Sequence, residues 1–597
     1  MAYRTPVRDM HFLLEHAAGL DAVRATGAFD DLSDDLVASI LEEAGRFADE
    51  VVAPLNPVSD RQGARLENGQ VVTTPGFKEA YAQYVEAGWN GLAFPEAWGG
   101  QNLPATLALA VFDALCGACL SFTMGMSLTQ AAVKALLAHG SDEQRTLYLP
   151  KLTTGEWTAT MNLSEPQAGS DLSNLKCRAE PVGDGTYKIT GTKIWISYGD
   201  HDMTQNICHL VLARTPDAPE GTRGISMFLV PKYRVNEDGS LGDFNDVRVA
   251  GIEEKLGQHG SPTCVMSYGD AGECLGTLVG EENAGLKSMF VMMNAARIDV
   301  GMQAASVGEA SFQHALAYAQ GRVQGRPYGV KTGQQNPIYD HPDVRRMLFT
   351  MKALTEASRA LCYANMAAYD VAHRSSDAEA MAQAKRREEL LTPLSKAFSS
   401  DRAIETTNLG IQVHGGMGFV EETGAAQFYR DCRVAAIYEG TNGIQAIDLV
   451  GRKLGMEEGG LAYDFLDEVE AGAEALRASG HEGLAAAGER MAAEAKRLRE
   501  TTAWMLTAMR TETEAGLTGA VPYQDQFGYV AAGHYLLRAA LAALGEKGGA
   551  VDAYLEGRIA IAAFYADHIL PRAEGLAAVV TAGAGSVAPI DPELLIA

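Results

Sequence analysis

Thr186-Tyr-Lys-Ile-Thr-Gly-Thr-Lys-Ile-Trp-Ile-Ser197 alternates polar and apolar residues and is rich in β-branched and aromatic types. A period of two marks a strand with one face buried. His209-Leu-Val-Leu-Ala-Arg214 and Gly224-Ile-Ser-Met-Phe-Leu-Val230 read the same way, and Asp184-Gly185 signals a hairpin before the Thr186 run. This texture spans residues 158–275. Outside it the helical period rules: residues 36–50, 78–87 and an apolar run from 107 before it, then 286–320, 342–372 and 378–413 after it. Residues 325–341 carry Gly, Pro and Asn without a period and read as a loop. Beyond 454 an Ala-rich helical stretch runs to about 581. The order predicts a segregated α+β plan rather than βαβ units. Its parts are a helical domain at 1–157 (opening with an extension, 1–35), a β domain at 158–275, a helical domain at 276–455 and an extra helical domain at 456–597.

The chain has 597 residues, 47% hydrophobic and 21% charged, so it can bury several cores without staples. Lys plus Arg number 49 and Asp plus Glu 76, a net charge of −27. So negative a surface repels phosphate backbones and argues against general nucleic-acid binding. Eight scattered Cys make no disulfide framework. Cys116-Gly-Ala-Cys119 has redox spacing but lies in an apolar run with no preceding βαβ unit, so both read as buried helix thiols. Residues 105–126 come nearest to a membrane span, yet Asp113 and frequent Gly, Ser and Thr favour a buried helix. The charged N-terminus leads into no apolar segment, so a cytoplasmic protein is expected.

Neither G-x-G-x-x-G nor G-x-x-x-x-G-K-[ST] occurs, and Gly325-Arg-Pro-Tyr-Gly-Val-Lys-Thr332 has the wrong spacing for a phosphate loop. No metal signature and no G-x-S-x-G elbow appears, so no metal is expected.

Three runs stand out: Met161-Asn-Leu-Ser-Glu-Pro-Gln-Ala-Gly-Ser-Asp171 with Lys193-Ile-Trp-Ile-Ser197, Gln412-Val-His-Gly-Gly-Met-Gly-Phe419, and Arg430-Asp-Cys-Arg-Val-Ala-Ala-Ile-Tyr-Glu-Gly-Thr-Asn-Gly-Ile-Gln445. With Gly140-Ser-Asp-Glu-Gln-Arg145 and Tyr148-Leu-Pro-Lys-Leu-Thr-Thr-Gly-Glu156, they resemble the acyl-CoA dehydrogenase flavoproteins in register over residues 36–455. The resemblance implies an N-terminal helical domain, a middle β-barrel and a C-terminal helical bundle, with FAD held between the last two across a dimer interface. It implies α,β-dehydrogenation of an acyl-CoA to the trans-2-enoyl-CoA, with electron-transferring flavoprotein as acceptor.

On this resemblance Glu439 is the base that takes the α proton, a task needing a carboxylate fixed in a water-poor pocket. The Glu439 N–H would bind the thioester carbonyl and stabilise the enolate. Some relatives place the base before a helix Arg; here that residue is Ala296. FAD would be held by Leu163, Ser164, Ser170, Trp195, Ser197, Arg322, Gln412, Gly415, Gly416 and Thr441. Trp195 would flank the ring and Ser197 bond near N5. Arg322 would pair with the pyrophosphate, and Gly415 and Gly416 would let backbone approach closely. Substrate contacts fall on Ser170, Asn294, Arg297, Glu439 and Gly440. Arg297 is also the candidate for a basic entrance for CoA phosphates. Val323-Gln-Gly-Arg326, Gly443 and Asn294 depart from the usual family residues.

The C-terminal extension and the opening Tyr3-Arg-Thr-Pro-Val-Arg-Asp-Met10 resemble a long bacterial subgroup. It includes 3-methylmercaptopropionyl-CoA dehydrogenases of dimethylsulfoniopropionate (DMSP) degradation and broad-range fatty acyl-CoA dehydrogenases. The expected substrate is the thioether, oxidised to methylthioacryloyl-CoA, with short, medium or longer fatty acyl-CoA as the alternative. Residues 290–294 could line either pocket, whereas Met124 and Met126 read as core. Two other readings are a DNA-associated alkylation-response flavoprotein and a flavin-bound assembly factor. Residues 456–597 hold about twice as many acids as bases, the wrong sign for a duplex. This acidic appendage is expected to cover a face used in four-subunit packing and so favour a homodimer.

Overall fold

The computed structural model describes residues 3–29, 32–547, 552–587 and 590–596. The chain divides into two compact units: Glu42–Asp299, with residues 3–5 attached, and Pro6–Leu41 together with Val300–Ala597.

In the first unit the apolar run forms two helices, α1 (Ala105–Ala118) and α2 (Leu120–His139). They part at Cys119, whose backbone is extended (φ −159°, ψ 98°). Apolar side chains on every side make these core helices. The Cys116 sulfur lies 3.3 Å from Thr123 Oγ1, and burial raises this thiol well above its ordinary value. α3 (Asp142–Thr154) starts with a reciprocal cap: Gln144 N–H donates to Ser141 Oγ and Ser141 N–H to Gln144 Oε1. Gln144 Nε2 then ties the helix to the sheet through Thr277 Oγ1 (2.7 Å) and the Leu278 carbonyl (3.0 Å).

The sheet comprises β1 (Thr158–Asn162), β2 (Arg178–Gly183), β3 (Thr186–Ser197), β4 (Ile207–Ala213), β5 (Ser226–Pro231), β6 (Val247–Ile252), β7 (Thr263–Tyr268) and β8 (Leu275–Val279). Hydrogen bonding follows the open path β6-β7-β3-β8-β5-β4-β1, with β2 on β3. The barrel is therefore unclosed by pairing among the described residues. Only β1 and β4 run parallel. β3 serves two parts of the sheet: Thr186–Thr190 pair with β2, Thr186–Lys188 also with β8, and Gly191–Ser197 with β7. It turns at Gly191 (φ 150°), where a Cβ would come within 3.1 Å of three Cys177 atoms. β4 and β5 are buried on both faces, so their alternation does not report a solvent side.

Two histidines are sealed in this core. His201 Nε2 lies 2.8 Å from Thr158 Oγ1, and burial lowers its pKa to about 4 despite Asp200. His209 lies beside Tyr268 and Asn162, and burial lowers it to about 3. Both stay neutral in the fold but protonate when unfolded below about pH 6.5. Their contribution is thus complete above pH 6.5 and declines as pH falls toward 4. A pH series of denaturant melts should show His201→Gln losing less stability across that window, by on the order of 3 kcal/mol. An unchanged slope would refute this.

The second unit is helical. Helix α4 (Gly285–Gly321) enters it at Val300 and meets α5 (Pro342–Arg374) and α6 (Ala378–His414). After α7 (Asn442–Asp448) come α8 (Gly460–Arg477), α9 (Glu482–Thr511), α10 (Thr513–Lys547), α11 (Ala553–His568) and α12 (Arg572–Val580). The expected order of helices, strands, helices and an extra helical domain is formed. α10, not the 105–126 run, is the described helix long and apolar enough to span a membrane, but 78% of its apolar window is buried inside the bundle.

A buried cluster of three acids and three bases joins the N-terminal helix Val7–Leu13 to α4, α5 and α11. Lys352 Nζ meets Asp9 (2.9 Å), Glu309 (3.1 Å) and Glu356 (3.1 Å). Arg359 pairs with Glu309 at 3.3 Å, and Arg558 with Glu356 at 2.5 Å and Asp9 at 3.3 Å. Burial alone would raise Asp9, yet Lys352 and Arg558 hold it well below the carboxylate range.

Candidate active site

The first half of the site is built on β1 and β3. After β1 the chain loops through Leu163, Ser164 and Glu165. Lys193, fully buried on β3, donates from Nζ to the Leu163 carbonyl (3.0 Å) and Glu165 Oε1 (2.8 Å). Glu165 also accepts N–H bonds from Lys176 (2.7 Å) and Cys177 (3.0 Å). Burial alone would raise its pKa, but Lys193 and these N–H groups hold it below the usual range. The loop is pinned by a desolvated ion pair, a costly arrangement when either partner is lost.

Trp195 stands beside this pin. Pairing of β7 with β3 slips between Cys264 and Met266, which face Ile196 and Lys193, leaving Ile194 and Trp195 opposite Val265 alone. This is a β-bulge, and Trp195 has a left-handed backbone (φ 64°). The bulge breaks the alternation and leaves the indole 58% exposed. Ile194 N–H donates to the Ser164 carbonyl at 3.0 Å, locking the bulge to the loop. The Ser197 carbonyl accepts from Thr160 Oγ1 at 2.8 Å. The hydroxyls of Ser164, Ser170 and Ser197 make no hydrogen bond among the described residues. A flat apolar face with a set of unsatisfied hydroxyls suits a planar heterocycle with a polar rim, which is what an isoalloxazine is.

Asn294 and Arg297 lie on the first turns of α4. Arg297 is only 4% exposed and its Nη1 donates to Asn294 Oδ1 at 3.5 Å. The guanidinium therefore sits inside the fold, which does not fit a surface entrance for CoA phosphates. Ala296 is buried and has no acid to offer. The side chains of Val291 and Met292 lie outside the described residues.

The remaining sequence-derived residues lie in the second unit. Glu439 and Gly440 both have left-handed backbones (φ 55° and 81°). For a non-glycine this conformation costs about 1–2 kcal/mol, and it persists where neighbours over-determine it. Tyr438 Oη donates to the buried Gln303 Oε1 on α4. The fully buried Gln445 donates from Nε2 to the Glu439 carbonyl at 3.2 Å. Thr441 Oγ1 accepts from Ile444 N–H at 3.3 Å, so this hydroxyl caps α7. Asn442 takes Lys396 Nζ (2.8 Å) on its Oδ1 and donates from Nδ2 to Ser400 Oγ (3.0 Å).

Gln412, Gly415 and Gly416 lie exposed where α6 ends. Gly415 (φ 61°) supplies the positive φ that terminates the helix. No atom lies within 4 Å of a Cβ at 415 or 416, so their backbone faces open space, whereas a Cβ at Gly418 would sit 2.2 Å from the Ile411 carbonyl. Arg322 is exposed, with Nη2 donating to Gln324 Oε1 at 2.9 Å. The expected residues thus form two clusters, Leu163–Ser170 with Trp195–Ser197, and Glu439–Thr441. Sequence reading missed Lys193, Glu165, Gln303, Gln445 and Asn442, which hold those clusters in place. Their one signal was polarity inside apolar surroundings.

Three family domain descriptions match in order: "Acyl-CoA dehydrogenase, N-terminal domain" at residues 37–156, "middle domain" at 160–271 and "C-terminal domain" at 283–454. "Acetyl-CoA dehydrogenase C-terminal like" matches 465–591. The chain is 45% identical over 579 residues, 96% of either chain, to 3-methylmercaptopropionyl-CoA dehydrogenase of Ruegeria pomeroyi. It is 32% identical over 605 residues, 95% of this chain and 96% of the other, to the broad-specificity linear acyl-CoA dehydrogenase FadE5 of Mycobacterium tuberculosis. The fold matches an acyl-CoA dehydrogenase complexed with FAD from Bacillus anthracis, with a TM-score of 0.72, 21% identity, and coverage of 95% of this chain and 90% of that one.

Proposed function

The chain belongs to the acyl-CoA dehydrogenase family, as an FAD-dependent enzyme acting on an acyl-CoA, and on that premise we propose that its substrate is 3-methylmercaptopropionyl-CoA, oxidised to methylthioacryloyl-CoA. The observation that carries this choice is 45% identity along 96% of both chains, appended helices included.

Glu439 acts as the base, its carboxylate taking the α proton. Bound FAD would supply the acceptor for the hydride from the β carbon. Leu163, Ser164, Ser170, Trp195 and Ser197 would hold the flavin, with the bulged indole as an apolar surface for the ring and the serine hydroxyls as its polar partners. The Glu439 N–H donates to the thioester carbonyl, where charge gathers as the α proton leaves, a contact worth most in a water-poor site. The Tyr438, Gln445 and Asn442 contacts keep the base in place, since small displacements of a reacting group are expensive. Electron-transferring flavoprotein takes the electrons, and the working form is a homodimer.

Anaerobic flavin bleaching by 3-methylmercaptopropionyl-, butyryl-, octanoyl- and palmitoyl-CoA tests the substrate. The thioether should give the highest rate-to-affinity ratio, by about 10-fold or more, the size of discrimination a shaped apolar pocket supplies. Equal or better bleaching by octanoyl- or palmitoyl-CoA would replace this reading with a fatty acyl-CoA one, in line with the similarity to the Mycobacterium tuberculosis enzyme.

A further inference from the structure

The appended helical domain reaches the loop that carries Glu439. Gln524 lies on α10, in the middle of that domain, and is 2% exposed. Its Nε2 donates to the main-chain carbonyl of Asn442 at 3.3 Å. Asn442 is three residues beyond Glu439 and begins α7, and its side chain is already bound to α6: Lys396 Nζ at 2.8 Å, Ser400 Oγ at 3.0 Å and the Ala397 carbonyl at 3.3 Å. Next to Gln524, α10 lies tight on α6. A Cβ at Gly528 would sit 2.5 Å from the Phe398 ring, and Tyr529 meets that ring edge-on at 5.3 Å. Gln524 therefore approaches Asn442 from a surface with little room to shift.

We propose that Gln524 is a positioning residue for the dehydrogenation: through Asn442 it holds the left-handed Glu439-Gly440 turn, so the appended domain sets the aim of the base. The proposal rests on Glu439 being that base. Two left-handed residues in succession are kept by their surroundings. The family core supplies Gln303, Gln445 and the α6 contacts, and the appended domain supplies the contact to the carbonyl of Asn442. Removing that donor leaves fold and cofactor in place but lets the turn relax, and the reaction feels a shift of a fraction of an ångström at the carboxylate.

Gln526 makes a matched control. It lies two residues along the same helix, is fully buried, and accepts from Thr501 Oγ1 at 2.9 Å within the appended domain. The experiment compares Gln524→Met, Gln526→Met and Glu439→Gln as holoenzymes, reading the flavin-bleaching rate per bound FAD at saturating acyl-CoA. It also reads the kinetic isotope effect with α-deuterated substrate. Gln524→Met should bleach roughly 10-fold more slowly with a larger α-deuterium effect, at unchanged FAD content and little changed half-saturation. Gln526→Met should melt earlier yet keep the wild-type rate and isotope effect. If Gln524→Met does not yield folded holoenzyme, Gln524→Leu, which likewise removes the donor without burying a charge, is read instead with the same expectation. Wild-type rate and isotope effect in that variant, with Glu439→Gln inactive, overturn the positioning role alone. Full activity in Glu439→Gln overturns the base and the proposal with it.

Discussion

Replacing Glu439 by Gln leaves a protein that still carries FAD but whose flavin is bleached by acyl-CoA about 10³-fold more slowly. The size follows from the task. A general base contributes roughly 10²–10⁴-fold, and an amide cannot take a proton from carbon. The position before Arg297, where some relatives place the base, holds the buried Ala296, which cannot take a proton. The substitution spares the architecture. Gln matches Glu in shape, and it leaves untouched the Glu439 carbonyl, the Tyr438 hydroxyl and the Asn442 side chain, which hold the turn. FAD content should match wild type, since the residues assigned to the isoalloxazine lie in the loop after β1 and on β3. Rapid mixing under anaerobic conditions measures the rate. Bleaching within a few-fold of wild type would place the base elsewhere.

Lys193→Met gives the largest expected loss of stability and cofactor together. It leaves the buried Glu165 carboxylate without its cation and frees the Leu163 carbonyl, the two side-chain contacts of Lys193 that help β3 pin the flavin loop. Breaking a buried pair from one side costs about 3–5 kcal/mol. For a unit of this size that corresponds to a fall of about 10 °C in melting midpoint. The protein should purify with less FAD, because Ser164 and the Trp195 bulge are held through the same loop. Adding Glu165→Gln should recover part of the midpoint, since the double variant buries no lone charge. Thermal melts and flavin-to-protein absorbance ratios provide the check. A double variant less stable than Lys193→Met would contradict this account of the pin.

Periodicity made most of the elements legible. The expected helix at 286–320 is Gly285–Gly321, that at 342–372 is Pro342–Arg374, and that at 378–413 is Ala378–His414. Such boundaries follow from local pattern, because each helix buries a stripe that its own sequence writes. The parallel β1–β4 pair was not legible, since pairing depends on partners about 50 residues apart. Nor was the bulge at Trp195. Ile194-Trp195-Ile196 is an unbroken apolar run, and only the slipped register of β7 turns the indole outward. The motif residues Leu163, Ser164, Trp195, Ser197 and Glu439 could be named from their order along the chain. The residues that steady them could not, because Lys193 finds Glu165 across 28 residues and Gln524 finds Asn442 across 82. Those contacts are made by topology, and a polar residue in an apolar run does not say where its partner is.

The cluster of Asp9, Glu309, Lys352, Glu356, Arg359 and Arg558 has a bearing on the order in which the chain acquires structure during synthesis. Residues 42–299 form their unit from one uninterrupted stretch and can close while the remainder is still unmade. Asp9 emerges among the first residues, but Arg558 leaves the ribosome near the end, after on the order of a minute of elongation. Until Lys352 is made the opening helix carries a carboxylate with neither of these partners, and both Asp9 and Glu356 then wait for Arg558. The second unit is therefore finished last and from both ends at once. A chain released before Arg558 would retain the β domain but leave Asp9 and Glu356 sharing Lys352 without their second cation, a mark for quality control.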